Sequence, residues 1–280
     1  MPQLPCLLLT ASRAAASTSF TFSSSSPQSA GAAAAAATSG VSYVFPPPPP
    51  VSIPVFASKS RFAVRRVYGI GLNYAAHQAE MNKANSSPVI FLKSTVDGVT
   101  PQADPDATVV IPYALNTSNY MHEVELVAAI GKDFPISASS SAPAMSKTQI
   151  LDHIYGYAVG LDMTRRDLQK AAKESGAPWD LGKTVDFGAP ISVIRRAADV
   201  GHPTKGAISL FVNNEERQRG DVSDMIWTVP EILSHLSKFY RLRAGDLVFT
   251  GTPAGVGPVK IGDSLDACVD GIGRLTVDIS

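Results

Sequence analysis

Glu123-Val124-Glu125-Leu126-Val127-Ala128-Ala129-Ile130 opens with strict alternation of acidic and apolar residues and then turns apolar without a break. Successive side chains of a β-strand point to opposite faces, so Glu123 and Glu125 share one face while Val124 and Leu126 share the other. The apolar run to Ile130 is that of a strand entering a core. Two adjacent carboxylates repel unless a cation lies between them, and the apolar continuation makes a solvated face uncomfortable for the pair.

Outward from this strand, the chain after Arg65 reads as one mainly β domain with a few short helices. Val89-Ile90-Phe91-Leu92 is a second compact apolar run. Leu210-Phe211-Val212, Asn213-Asn214 and Glu215 to Gln218 read as a hairpin, because Asn tolerates the positive φ of tight hairpin turns. Thr228-Val229-Pro230-Glu231 has capping-box spacing, and Ile232, Leu233, Leu236, Phe239 and Tyr240 follow as one apolar stripe. A second helix is predicted from Thr164 to Ala172. It follows the apolar segment Tyr157 to Leu161, which puts Asp162 where a strand ends and a helix begins.

The first sixty residues differ from the rest. Up to Ser60 the chain is built from Ala, Ser, Thr and Pro, holds no Asp or Glu, and contains the proline run Pro46 to Pro50. Such a stretch does not bury enough apolar surface to offset its chain entropy, and residues 1–60 are read as a disordered transit peptide ahead of a catalytic domain at 61–280. Before Lys59 the only basic residue is Arg13, a scarcity that leans toward a plastid rather than an Arg-rich mitochondrial leader.

No run approaches the roughly 20 apolar residues of a membrane helix. The 24 Lys and Arg balance the 24 Asp and Glu, and no basic block appears, which argues against nucleic acid as a partner. Cys6 falls in the leader, so the catalytic region offers no cysteine cluster for a metal.

Three further groups carry potential chemistry. Asp162 adds a third carboxylate to Glu123 and Glu125, and an all-oxygen set suits a hard cation such as magnesium, manganese or calcium rather than zinc. His77 and Glu80 follow Asn73, a candidate helix cap, and a spacing of three brings them onto one helix face, where the carboxylate would raise the basicity of the imidazole. Arg166 and Gln169 share a helix face just after Asp162, and Lys183 lies between Trp179 and Thr184. The loop Thr250-Gly251-Thr252-Pro253-Ala254-Gly255-Val256-Gly257-Pro258 lacks the Lys-Ser/Thr ending of a nucleotide P-loop. Its amides and the Thr252 hydroxyl would instead suit a carboxylate.

Together these segments resemble the fumarylacetoacetate hydrolase family, most closely its acylpyruvase and oxaloacetate decarboxylase-like branch. Gly71-Leu72-Asn73-Tyr74 with His77 and Glu80, Phe91-Leu92-Lys93, His122 to Leu126, Leu161 to Thr164 with Arg166, Asp167 and Gln169, Pro178-Trp179 with Lys183, and Thr250 to Pro258 occur in the family's order. The resemblance implies an α+β, mainly β fold, a mixed β-sandwich roll with a few short helices, assembled as a homodimer. It implies that Glu123, Glu125 and Asp162 bind Mg2+ or Mn2+, and that His77 and Glu80 form a catalytic dyad. Lys183 would contact the substrate or its enolate, with Arg166, Gln169 and Thr252 around the substrate. The substrate implied is a small keto acid, an acylpyruvate or oxaloacetate, and the organelle a mitochondrion.

Two residues depart from the pattern. Leu72 stands where relatives often have Arg, and Met121 where they often have a second His; the first bears on specificity, and neither touches the triad or the dyad. The reaction implied is Mg2+-dependent cleavage of 3-acylpyruvates to pyruvate and a carboxylic acid, with decarboxylation or keto-enol tautomerisation of oxaloacetate as alternatives. A non-catalytic metal-binding regulatory protein is the rival from another class, and it predicts loss of His77 or Glu80, both of which are present.

Overall fold

The computed structural model describes residues 43–76, 88–135 and 145–280. Among them the longest sheet runs in the order Val89–Lys93, Arg66–Gly71, Asp246–Phe249, Val124–Ile130, Ile154–Leu161, Ala189–Ile191 and Val99–Pro101, with Arg195–Arg196 also paired to Ile154–Leu161. A five-stranded sheet follows the order Glu215–Asp221, Ala207–Val212, Ser264–Val269, Gly273–Ile279 and Thr108–Ile111. The mainly β architecture expected from the sequence is the one observed.

The acidic-apolar strand lies in the middle of the large sheet, and both of its faces are covered. Val124, Leu126, Ala128 and Ile130 join the core that includes Leu210, Leu265 and Val277 of the five-stranded sheet and Ile232 and Leu236 of a helix. Val127 and Ala129 point the other way, into a core with Phe249, Ile191 and Ile53. Every residue from Val124 to Ile130 is buried, which is why the strand loses its alternation after Leu126. At about 25 cal/mol per Å² of apolar surface, burial on two faces makes this strand a principal source of the fold's stability.

Asn213 and Asn214 take φ of 51° and 66°, as a two-residue hairpin turn between Val212 and its partner Glu215 requires. The helix Val229–Leu236 begins at Thr228, whose main-chain N–H donates to Glu231 Oε2 at 2.8 Å. That helix stops at Leu236, so Phe239 leaves the apolar stripe and is 65% exposed. The other predicted helix starts later than expected, at Arg166–Ser175. Thr164 and Arg165 are extended because they pair with Met121 and Tyr120, and sheet pairing outweighs local helix propensity there.

The folded body also begins earlier than composition suggests. Ser52–Pro54 pairs with Arg61–Ala63, and Ile53 and Val55 are buried within the compact unit that contains Pro50–Ser280. The boundary expected at residue 61 is therefore too late. Val51, Ile53 and Val55 form a period-two pattern that the surrounding Ser and Pro dilute. No helix among the described residues is long and apolar enough to cross a membrane.

A candidate metal centre where three strands leave the large sheet

Glu123 is not part of the strand that follows it. Tyr120–His122 belongs to a small three-stranded sheet with Thr164–Arg165 and Gly257–Pro258, whereas Val124–Ile130 belongs to the large one. The order of the small sheet repeats that of Ile154–Leu161, Val124–Ile130 and Asp246–Phe249, so three neighbouring chains leave one sheet and re-pair in another. Glu123 and Asp162 are the residues at this break, and Asp162 N donates to the Glu123 carbonyl at 2.8 Å. The expected strand Glu123–Ile130 is thus shortened by one residue. Glu125, two residues on, keeps the same face.

The break brings the three carboxylates together. One oxygen from each of Glu123, Glu125 and Asp162 lies within 4.8 Å of the others, and all three side chains are buried. Lys183, from the short helix Asp180–Lys183, donates to Asp162 Oδ2 at 2.6 Å, Glu123 Oε2 at 2.7 Å and Thr164 Oγ1 at 2.8 Å. Lys93, at the end of Val89–Lys93, donates to the other oxygen of Asp162 at 2.6 Å and to the Lys183 carbonyl at 2.8 Å. Arg166 donates to Glu123 and, at 2.5 Å, to Gln169 Oε1.

Burial pushes the Glu125 carboxyl well above the ordinary range, and the charges of Asp162 and Glu123 push it the same way. The N–H of Gly251 donates to Glu125 Oε2 at 2.7 Å, yet no ion pair to Glu125 occurs among the described residues. The two lysines diverge although they share Asp162. Burial lowers Lys93, and the attraction of Asp162, its one ion-pair partner, does not offset burial together with the neighbouring Lys183 charge. For Lys183, the attraction of Asp162 and Glu123 outweighs burial and raises its pKa.

A buried carboxylate lacking an ion-pair partner, converging with two others in an all-oxygen set, fits a hard divalent cation. Glu123 and Glu125 line a cavity with Arg166, Gln169, Lys183 and Thr252 on its polar side and Ile70, Leu72 and Trp179 on its apolar side. Lys183 Nζ also lies 4.9 Å from the centre of the Phe91 ring.

The structure therefore gathers Glu123, Glu125, Asp162, Arg166, Gln169, Lys183 and Thr252 at one site. His77 and Glu80 lie outside the described residues. Asn73, read as a helix cap, gives both amide protons to carbonyls, that of Thr250 at 2.8 Å and that of Trp227 at 3.0 Å. It thereby ties the start of that segment to the glycine-rich loop. Met121 takes a hydrogen bond from Arg166 Nε at 3.3 Å, and Leu72 lines the cavity in a left-handed conformation, φ 63°.

Two site residues escaped the sequence reading. A lysine that ends a strand reads as a solvated edge, which hides Lys93. Gln218 sits in the polar run Glu215-Glu216-Arg217-Gln218-Arg219, which reads as an exposed hairpin arm, yet it is fully buried beside His122 and Thr252. Burial pulls the His122 imidazole down, and the Gln218 contact does not offset this.

This fold and centre define a class: the chain belongs to the fumarylacetoacetate hydrolase family, and residues 66–280 match the family model "Fumarylacetoacetate (FAA) hydrolase C-terminal". Among individual relatives, it is 40% identical over 215 residues to the mitochondrial oxaloacetate tautomerase FAHD1 of Arabidopsis thaliana, covering 76% of this chain and 90% of that one. It is 42% identical over 180 residues to a fumarylpyruvate hydrolase of Ralstonia sp., covering 64% of this chain and 89% of the relative. Among solved structures, a fumarylpyruvate hydrolase from Pseudomonas aeruginosa in complex with Mn2+ and pyruvate superposes with a TM-score of 0.79 at 46% identity, covering 85% of this chain and 99% of that one.

Proposed function

We propose that this chain is a Mg2+-dependent acylpyruvate hydrolase, with Mn2+ able to replace Mg2+, that cleaves 3-acylpyruvates to pyruvate and a carboxylic acid. The observation that carries the reading is the convergence of three carboxylates within 4.8 Å, two of which, Glu123 and Glu125, line a cavity shared with Lys183. The similarity to a fumarylpyruvate hydrolase holding Mn2+ and pyruvate supports it.

Glu123, Glu125 and Asp162 would hold the cation. When bound, it supplies Lewis acidity toward the carboxylate and 2-oxo group of the substrate. Arg166, Gln169 and Thr252 orient that end of the substrate by donating to its oxygens. His77, held in one tautomer by Glu80, takes a proton from a water molecule attacking the distal carbonyl, a step worth roughly 10²- to 10⁴-fold. The bond between that carbonyl carbon and C3 then breaks. The carboxylic acid departs, and the electron pair stays on the pyruvate half as an enolate that is protonated at C3. The Lys183 ammonium stabilises this developing charge more than it does the ground state.

Keto-enol tautomerisation of oxaloacetate is the second reading, favoured by the names of the mitochondrial relatives. Decarboxylation of oxaloacetate passes through the same enolate. In line with those relatives, the residues ahead of the first strand act as a mitochondrial leader, with a plastid as the alternative that composition suggests, and the mature chain pairs as a homodimer. Proton NMR of acetylpyruvate and of oxaloacetate with the Mg2+-loaded protein separates the reactions. Acetate with pyruvate from the first substrate supports hydrolysis. Pyruvate from oxaloacetate means decarboxylation, and accelerated keto-enol exchange with no product from either substrate replaces the hydrolase reading by tautomerisation.

A further inference from the structure

Gln218 lies on the Glu215–Asp221 strand with no exposed surface. Its carboxamide is pinned at both ends by main-chain groups of fixed polarity. Val124 N donates to Oε1 at 3.1 Å, and Nε2 donates to the Pro253 carbonyl at 2.9 Å. A main-chain N–H only donates and a carbonyl only accepts, so the amide has one permitted orientation.

Two consequences follow from that orientation. Oε1 also lies 2.9 Å from His122 Nδ1, and because Oε1 accepts, Nδ1 carries a proton whatever the charge of the ring. The second hydrogen of Nε2 goes to Thr252 Oγ1 at 2.7 Å. Thr252 therefore accepts from Gln218, and its own proton enters no hydrogen bond among the described residues. Thr252 lines the same cavity as Glu123, Glu125 and Lys183. The loop reaches Gln218 because Gly255, at φ 93°, lies so close to the Arg217 carbonyl that a Cβ would come within 2.0 Å of it.

We propose that Gln218 is a positioning residue: by donating to Thr252 Oγ1 it leaves the Thr252 proton free to be given to an anionic oxygen of the bound keto acid. The same carboxamide holds the N–H of Val124, between two candidate ligands, and so sets their register. This assignment rests on the keto-acid reading of the site.

The test uses Gln218→Glu, Thr252→Val, Thr252→Ser and the Gln218→Glu/Thr252→Val double variant of the Mg2+-loaded protein. A carboxylate at position 218 still accepts from Val124 and His122, but it accepts from the Thr252 hydroxyl as well and turns that proton out of the cavity. Oxalate, a planar mimic of pyruvate enolate, serves as the calorimetric probe beside acetylpyruvate turnover. Gln218→Glu and Thr252→Val are each expected to weaken oxalate binding and lower kcat roughly tenfold, with Thr252→Ser, which keeps the hydroxyl, losing less than Thr252→Val and the double variant no worse than either single one. A loss caused by the added charge alone would multiply with that of Thr252→Val, and that result overturns the assignment. In wild-type protein, nitrogen-15 NMR of the His122 ring is expected to find the proton on Nδ1, a measurement that needs neither substrate nor a folded variant. A neutral ring protonated only on Nε2 overturns the amide orientation and the proposal with it. A wild type that neither binds oxalate nor cleaves acylpyruvate removes the keto-acid reading and this proposal together. A wild type that does both, beside an unaffected Gln218→Glu, overturns the Gln218 assignment alone.

Discussion

The main-chain N–H of Asp162 donates to the carbonyl of Glu123 at 2.8 Å, joining the two residues at which neighbouring chains leave the large sheet. The carboxylates converge because the backbones are paired on either side of the break, Val124 with Leu161 before it and Met121 with Thr164 after it. The backbone pairing therefore sets where Glu123 and Asp162 stand, and the metal-free protein is expected to fold.

Glu125→Gln removes the one triad charge without an ion-pair partner among the described residues. The metal-free variant is expected to melt at the same temperature as wild type or higher, since like-charge repulsion is relieved, while the Mg2+-induced rise in Tm disappears. Thermal melts with and without Mg2+ check this, and a variant that keeps the wild-type Mg2+ shift contradicts it.

The direction of the Glu125 shift also sets a pH dependence. Its carboxyl in the folded protein lies above the ordinary value of 4.5, so the folded state retains a proton that the unfolded chain has already released. This contribution to stability is complete below 4.5 and is lost as pH rises through the folded pKa. Mg2+ takes the place of that proton. The rise in Tm on adding Mg2+ should therefore grow as pH rises above 4.5, and a shift that shrinks with rising pH would be the wrong sign.

Lys93→Met leaves the fully buried Asp162 with one ammonium instead of two. Breaking a buried ion pair typically costs about 3 kcal/mol or more, and urea unfolding of the metal-free protein should show a loss of that order. An unchanged unfolding midpoint would mean that Lys183 alone suffices for Asp162.

Gly251→Ala places a Cβ where φ is 100° and where it would meet the Asn73 Cβ at 2.7 Å. The expected result is a destabilisation of about 1–3 kcal/mol, together with weaker Mg2+ binding, because the Gly251 N–H aims at Glu125. Calorimetric titration of Mg2+ separates the two effects.

Much of this was legible in the sequence. Period-two alternation placed Glu123 and Glu125 on one face, paired asparagines marked the hairpin, and the Thr228-to-Glu231 spacing marked the helix start. What escaped were features fixed by partners distant in the chain. The break at Glu123 is invisible because the residues before and after it are both extended, merely paired to different sheets. Lys93 and Gln218 are polar residues in positions that read as solvated, and their burial follows from which strands and loops pack over them. Thr164 and Arg165 read as helical until the pairing with Met121 and Tyr120 is known. Composition hid Ile53 and Val55 among Ser and Pro.

The central claim is a carboxylate-held cation serving keto-acid cleavage, and the most direct measurement is acetylpyruvate turnover by wild type, Glu123→Ala and His77→Ala, alongside Mg2+ titration of each. Wild type should release pyruvate and acetate only when Mg2+ or Mn2+ is present. Glu123→Ala should lose both turnover and Mg2+ binding, and His77→Ala should lose turnover while still binding Mg2+. A Glu123→Ala protein that cleaves acetylpyruvate at the wild-type rate would contradict the account.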